Sequence, residues 1–540
     1  MRWISAVAAI VLVAFLSLWL LRDATGSVRA NNAEGNITID QLGKVDFPTS
    51  CSSKVQPAIE KGVALLHSFQ YQQAKQVFTE AATQEPACAM AEWGEAMSLY
   101  HQLWDFPGDE TLAEGRRYTD QAQKSSQLTS RERAYLAATA AFYQDNSKLD
   151  HSARWRAYLA AMEKLHQNFP GDAEGGEFYA LSLISDPADA GDDTANREKA
   201  VAILDRLFRT ERNNPGAAHY LIHATDTPDL APKGLDAARA YAKIAPDSSH
   251  ALHMPSHIFV RLGLWQETID SNIAASASAA RATEMHLSDP HYQIHALDFL
   301  DYAYIQTGQE TKARQLVEDL HGVPGMAEMK NMADEMAYFA ARNTLELHHW
   351  KEAATLPIPD VKLAWQDTTY RARAIGAARI GDVEGARKAT AKLAEAVAAR
   401  EAEQKQKGYY IPEGESIDQR EAEGWLAYAE GKPDEAVRIL RSAADRQKAR
   451  SLDSIAIPAR EMLADLLVEL KRPAEAAEEY QIVLKNSPNR FNALYGAAHA
   501  AQLAGKARDA QGYYAKLVEI SAPTADRPEL QEARVFIARK

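Results

Sequence analysis

What this 540-residue chain lacks narrows its chemistry first. There is no phosphate-binding glycine loop, no GxSxG, no CxxC and no HExxH. The nearest approach to the last is HxxxH, with Tyr-Leu-Ile or Met-Pro-Ser between the histidines, and it has no glutamate base, so a zincin-type hydrolase is not supported. No Lys/Arg block occurs, and the formal charge of -14 with a pI near 5.7 argues against nucleic acid or an anionic membrane surface as the main partner. Alternating Val, Ile and Thr runs bounded by turn residues are missing, so nothing reads as a β-sheet. The length exceeds what one compact core usually reaches and points to several domains or one extended array.

One long apolar run is present. Arg2 precedes eighteen mostly apolar residues, Ile4 to Leu21, and Arg22 and Asp23 follow. This is an export segment, a signal peptide or a signal anchor within residues 1–30. The run is at the lower limit for spanning a bilayer and long for a cleaved signal core. Small residues at Ala24 and Gly26, or Val28 and Ala30, suit a peptidase. Residues 31–50 read as a linker, and the chain beyond residue 31 as soluble and extracytoplasmic or periplasmic, touching the membrane only through residues 4–21. Only Cys51 and Cys88 occur, and an even count in an exported chain invites a disulfide around one helical hairpin; two buried free thiols are the alternative.

Turn and packing residues recur at a helical-hairpin period. In PAIEKGVALLHSFQYQQAKQVFTEAATQEP, Gly62, Ala74, Phe78, Ala81 and Pro86 stand at the small, aromatic and terminating offsets of a 34-residue unit. Leu463, Ala464, Ala476, Tyr480, Val483 and Pro488 repeat the frame, and Ala498, Ala510, Tyr514 and Leu517 follow one period on. Further units fall at Gly263-Leu264-Trp265, Gly308 with Ala313, Trp350 with Ala353, Gly381 with Ala386, and Gly431 with Ala436 and Leu440. The pattern resembles the tetratricopeptide repeat (TPR), which implies an all-α chain of helix-turn-helix units forming a right-handed superhelix, an α-solenoid, over most of residues 55–520. WDFPGDE from Trp104 to Glu110, DPADAGDD from Asp186 to Asp193 and the charged stretch Arg400 to Ser416 interrupt it. The last divides an N-terminal array, 51–399, from a C-terminal one, 417–540, with 400–416 as linker. The C-terminal array carries no chemical motif and reads as an interaction module.

Histidine is concentrated in one register of that array. With the turn glycine, Gly263 or Gly308, set at repeat position 15, His250, His253 and His257 fall at positions 2, 5 and 9, and His295, Asp298 and Tyr302 occupy the same places one unit later. The unit before carries His219, His223 and Asp226 at i, i+4, i+7 on one helical face. In TPR proteins those first-helix positions line the concave groove, and stacked helices lie roughly 10 Å apart, so long side chains can meet. Imidazole with carboxylate in support suits a transition metal, zinc, copper or iron. Six histidines and two aspartates exceed one mononuclear site, which leaves two ions, or one ion with supporting partners or proton carriers. A hydrogen-bonded polar core, or a groove for an acidic peptide or small anion, is the competing reading.

The other histidines read differently. His67, His101, His151, His166, His286 and His499 are satisfied polar residues on helix faces, while His348, His349 and His321 are solvent or capping residues; His291 is left open. Pro255 removes a helical hydrogen bond. Either the helix kinks between His253 and His257, or it begins near Pro255 with His250 and His253 on an entering turn.

LLHSFQYQQA, CAMAEWGEAMS, HYLIHATD, HALHMPSHIFVRLGLW and HALDFLDYAYIQTG together resemble a group of exported bacterial TPR proteins, across roughly residues 51–320. That resemblance implies fold and export and carries no activity. Three functions follow: a binding protein that holds a protein or peptide partner in a metal-organised groove, a metal-dependent enzyme using the same cluster, and a plain envelope assembly scaffold with incidental histidines.

Overall fold

The structure, a computed structural model, describes residues 41–539 apart from 104–105, 145–148, 187–193, 287–288, 330, 408, 410, 412–415 and 450–454. The apolar export segment and most of the interruption at 186–193 lie outside the described residues. Every regular element among the described residues is helical, and they pair into hairpins in chain order. No helix among them is long and apolar enough to cross a membrane.

Small residues explain how close the paired helices come. A Cβ added at Gly62 would stand 2.4 Å from the Phe78 ring, and one at Gly94 would stand 2.2 Å from the same ring. Phe78 therefore fills the gap between its own hairpin, Gln56–His67 with Tyr71–Gln84, and the next helix, Ala89–Met97. Tyr480 repeats this device against Gly496, 2.2 Å from the added Cβ. The glycines at 263, 308, 381, 431 and 505 all have φ between 65° and 79°, where L side chains are disfavoured, and each ends the first helix of a hairpin. The repeat frame was legible because these positions admit few substitutes.

Cys51 and Cys88 are joined in a disulfide that ties the chain before the first hairpin to the helix after it. Closing a loop at a separation of 37 residues restricts the unfolded chain by about 3–4 kcal/mol.

Two boundaries differ from expectation. Residues 41–50, expected as linker, form a strap on the array: Phe47 is fully buried, stacks on Trp93 at 5.1 Å, and Lys44 donates its amide to the Asn213 carbonyl at 2.8 Å. Apolar Leu42, Val45 and Phe47, spaced through a polar segment, supply that anchoring. The stretch expected as a linker from Arg400 starts inside the 24-residue helix Val383–Gln406, where Arg400 pairs with Asp367. Charges there decorate the end of that helix as far as Gln406, and the next helix begins at Ile417, where the second array was expected to start. Residues 40–540 form one compact unit, and hairpins from both expected arrays share a buried core running from Ala341 through Trp425 to Ala500.

The C-terminal hairpins also return to the middle of the chain. Asn489 donates to the Gly263 carbonyl at 3.1 Å, Trp265 Nε1 donates to the Asn489 carbonyl at 2.8 Å, and the Asp526 amide donates to the Gly308 carbonyl at 2.9 Å. The turns that bracket the histidine units are thereby clamped.

Candidate metal centre

Three consecutive first helices carry the histidines. Pro215–Thr225 is capped by Asn214, whose side chain accepts from the Gly216 and Ala217 amides, and begins with proline where a missing N–H costs nothing. The next first helix is broken in two, Ser249–His253 and Pro255–Leu262, with Met254 in helical conformation at the joint. The helical hydrogen-bond ladder is thus interrupted at Pro255, between His253 and His257, and both halves remain helical. His291–Gln306 is the third. Pro215–Thr225 packs on Pro255–Leu262, and Ser249–His253 on His291–Gln306.

Six histidines converge as two triads. His219, His223 and His250 each offer a ring nitrogen within 4.8 Å of the others, and His253, His257 and His295 do the same. The triads are neighbours, with His223 and His257 ring centroids 6.3 Å apart and His250 and His253 also 6.3 Å apart. The division falls between His250 and His253 on the half-helix Ser249–His253, so His250 joins the first triad, while His253 and His257 share the second across Pro255.

Hydrogen bonds on the far side of each ring fix what the inner nitrogens present. His219 Nδ1 lies 2.5 Å from the His67 carbonyl, which only accepts, so Nδ1 carries the proton. His253 Nδ1 lies 2.7 Å from Asn272 Oδ1, and the Asn272 amide nitrogen donates to the Thr268 carbonyl at 2.9 Å, which sets the amide orientation. His257 Nδ1 donates to Asp226 at 2.9 Å, and Arg261 Nε holds the other carboxylate oxygen at 2.8 Å. Each of these rings in its neutral form then presents a bare lone pair at Nε2.

Two of those lone pairs meet, at His253 and His257, and the third, on His219, faces the His250 ring. His253 Nε2 and His257 Nε2 are 3.1 Å apart, and His219 Nε2 stands 3.0 Å from His250 Nε2. His223 Nε2 is buried with no hydrogen-bond partner. Two bonds of about 2.0–2.1 Å to one ion, at angles between square and tetrahedral, separate donor nitrogens by about 2.9–3.4 Å. The observed spacings fall in that range. Between His253 and His257 an electrophile, a metal ion or a proton, removes the repulsion.

Burial disfavours the proton. It pushes the His219, His250 and His253 imidazoles well below their usual range, reinforced by the neighbouring histidines, and it lowers His223 to about 3. Burial alone would raise the Asp226 carboxyl, but Arg261 and His257 hold it below the ordinary carboxylate range. Asp226 is thus an ionised anchor for a ring, with its oxygens turned to His257 and Arg261.

Each triad has its own phenylalanine. Phe69 stacks on His223 and His250, both at 5.5 Å, and meets His219 edge-on at 4.5 Å. Phe299 lies 4.7–5.3 Å from His253, His257 and His295. Phe69 has φ 53°, in the turn between the first two helices, where several later hairpins place glycine and two place His348 and Lys471. A bulky side chain there costs about 1–3 kcal/mol of strain, and the surrounding contacts hold it.

Not every expected residue joins. The Asp298 carboxylate is taken by Arg342, which also holds Asp301 at 2.6 Å, so Asp298 belongs to an ion-pair network and not to a triad. A carboxylate three residues after His295 reaches the following hairpin, where an arginine awaits it. Tyr302 is likewise engaged, accepting from Arg490 at 2.8 Å. His67 is satisfied, with Nδ1 at 3.0 Å from the Tyr220 hydroxyl and Nε2 at 2.5 Å from Glu174, yet its carbonyl orients His219. With Glu177 it forms a third buried group of possible ligands. Asn272, Phe69, Phe299 and Arg261 escaped the sequence reading. Phe69 had a signal, an aromatic at a turn position that favours glycine; Asn272 had none.

Fold and site together define an all-α helical-hairpin protein with a polyhistidine centre. No family profile matches the chain, and no curated protein matches it. Among solved structures, the human IFIT1 dimer with PPP-AAAA is similar at 12% identity and a TM-score of 0.34, covering 85% of this chain and 89% of that one. The human IFIT1 dimer with m7Gppp-AAAA gives 13% identity and a TM-score of 0.34, covering 89% and 99%. Likeness at that level transfers no residue role.

Proposed function

We propose that this chain is an exported TPR-type binding protein, coiled as a right-handed superhelix, whose groove holds a transition metal on His219, His223, His250, His253, His257 and His295 and uses it to organise a protein or peptide partner. One observation carries the metal: Nε2 atoms that face each other at 3.0–3.1 Å while His219, His253 and His257 are tethered through Nδ1 to acceptors. Metal-bound histidine characteristically donates its other N–H to a carbonyl or carboxylate in this way. Asp226 and Asn272 support the ligands from behind. Export draws support from the apolar segment at Ile4–Leu21 and from the bridged cysteines, which suit an oxidising compartment.

Elemental analysis of the full-length chain, purified without chelator and offered zinc, copper or iron, is the direct test. Bound metal lost on replacing His223 and His257 together with alanine is the expected result. A protein that takes up none of these ions, with a proton shared between His253 and His257, would sink the metal reading and leave the scaffold.

A second reading, a metal-dependent enzyme, rests on exposure. His295 is open to solvent and the His257 side chain is 15% exposed, so an ion there keeps coordination positions that solvent or substrate can reach. Exchange of bound water for azide or cyanide at the metal, followed spectroscopically, favours this reading; an inert, coordinatively closed ion removes it.

A further inference from the structure

Resting on the metal reading above, we infer that the centre binds two ions side by side, one in each triad, and that the pair is copper in its monovalent state. Duplication is the first ground. Each triad has mutually close donor atoms, one facing pair of Nε2 atoms, one third ring and one buried phenylalanine against all three imidazoles. Separate acceptors also tether them, the His67 carbonyl for one, Asn272 and Asp226 for the other. A single ion would use one such set of three donors and leave the other set without one.

Charge selects the ion. All six donors are imidazoles, neutral when they coordinate, and the nearest carboxylate, Asp226, is already held by Arg261 and His257. Two divalent ions would place four positive charges among neutral ligands, and their mutual repulsion is fourfold that of two monovalent ions at the same separation. Phe69 and Phe299, 0% and 2% exposed, make one wall of each triad apolar, so the repulsion is screened only from the side where solvent reaches His257 and His295. Zinc and iron are divalent at their lowest common charge, and the triads give iron no carboxylate of the kind its two-histidine sites use. Copper alone among imidazole-binding metals offers a stable single charge.

The full-length chain, stripped of metal and loaded anaerobically with copper(I), should retain two copper ions after desalting. His223→Ala with His250→Ala should retain one, and His257→Ala with His295→Ala should also retain one. The second pair lies on the solvent-facing side, so it keeps the test decisive if the first pair fails to give native helical content. A wild-type stoichiometry of one, abolished by either pair, overturns the two-ion inference while the metal reading stands. No retention of copper, zinc or iron overturns both. Equal offers of copper(I) and zinc(II) that end with zinc in the two sites overturn the assignment to copper.

Discussion

Two buried polar clusters lie on this fold, and they are built to opposite rules. Around Arg490, at 0% exposure, the donors of the guanidinium are met by acceptors: Glu346 takes two bonds at 2.9 Å, Glu461 two at 2.7 and 2.8 Å, and the Tyr302 hydroxyl one at 2.8 Å. Asn492 then donates to Glu346, and Arg527 to Asn492 at 3.1 Å. Around His253, the Nε2 atoms of two rings already tethered through Nδ1 face one another at 3.1 Å. A polar cluster that closes on itself is a structural fastener, whereas one that leaves lone pairs opposed is completed by something from outside. Donor and acceptor identity, and not burial, separates the two.

Removing the fastener should have the largest effect. Arg490→Met leaves Glu346 and Glu461 buried without their cation, and loss of one partner of a buried pair costs about 3–5 kcal/mol. Denaturant unfolding of the variant should show that loss, with metal per folded chain unchanged. Metal lost in proportion to stability would erase the distinction between the regions.

Phe69 sharpens the contrast next. Phe69→Gly relieves the left-handed backbone, worth about 1–3 kcal/mol, and deletes a buried aromatic, worth about 3–5 kcal/mol. A net loss of roughly 2 kcal/mol in unfolding experiments is expected, with metal retention weakened at the triad of His219 and unaffected at that of His253. A variant more stable than the parent would mean that the ring contributes little.

Support for the rings comes third. Asn272→Ala leaves the metal-facing atoms in place and frees the His253 ring to turn, and such supporting partners are worth 10–100-fold in metal affinity. Chelator competition should register that drop, about 1.4–2.7 kcal/mol. No change in affinity would show that packing against Phe299 alone orients His253.

The sequence made the repeat and the histidine register readable for one physical reason. Gly62, Gly263, Gly308 and Tyr480 occupy places that sterics restrict, so their spacing survives where the rest of each unit drifts. First-helix positions 2, 5 and 9 then brought five of the six histidines into one face, with His295 following a unit later. Hidden were the partners that arrive from other elements: the His67 carbonyl lies 152 residues from His219, and Asn272 sits on a second helix whose pattern marks it as any polar residue. The diversion of Asp298 to Arg342 was hidden likewise, since ion-pair choice depends on which hairpin follows at what angle. The hairpins between Ala89 and Thr210 diverge from the strict motif, and only their three-dimensional pairing reveals them.

Acid should finally distinguish the clusters in metal-stripped protein, by an effect spread over several pH units. His223 is held at about 3 by burial, against roughly 6.5 in an unfolded chain. Between those values the unfolded state binds the proton that the folded state refuses, so stability rises with pH across the window. Its contribution is fully present above pH ~6.5 and is lost as pH falls toward 3, with a slope of at most about 1.4 kcal/mol per pH unit for each such histidine. His219, His250 and His253, lowered for the same reason, add to that slope. Buried carboxyls such as Glu461 and Glu421, each raised to about 7, give a slope of opposite sign, so urea midpoints of the chelator-treated chain from pH 7 to 4 are read as the difference between parent and variant. His223→Gln should remove one residue's share while leaving the Arg490 cluster untouched. An unchanged slope in that variant would mean that the His223 ring accepts protons in the folded state, in which case the lone-pair geometry of the first triad is already relieved without a metal.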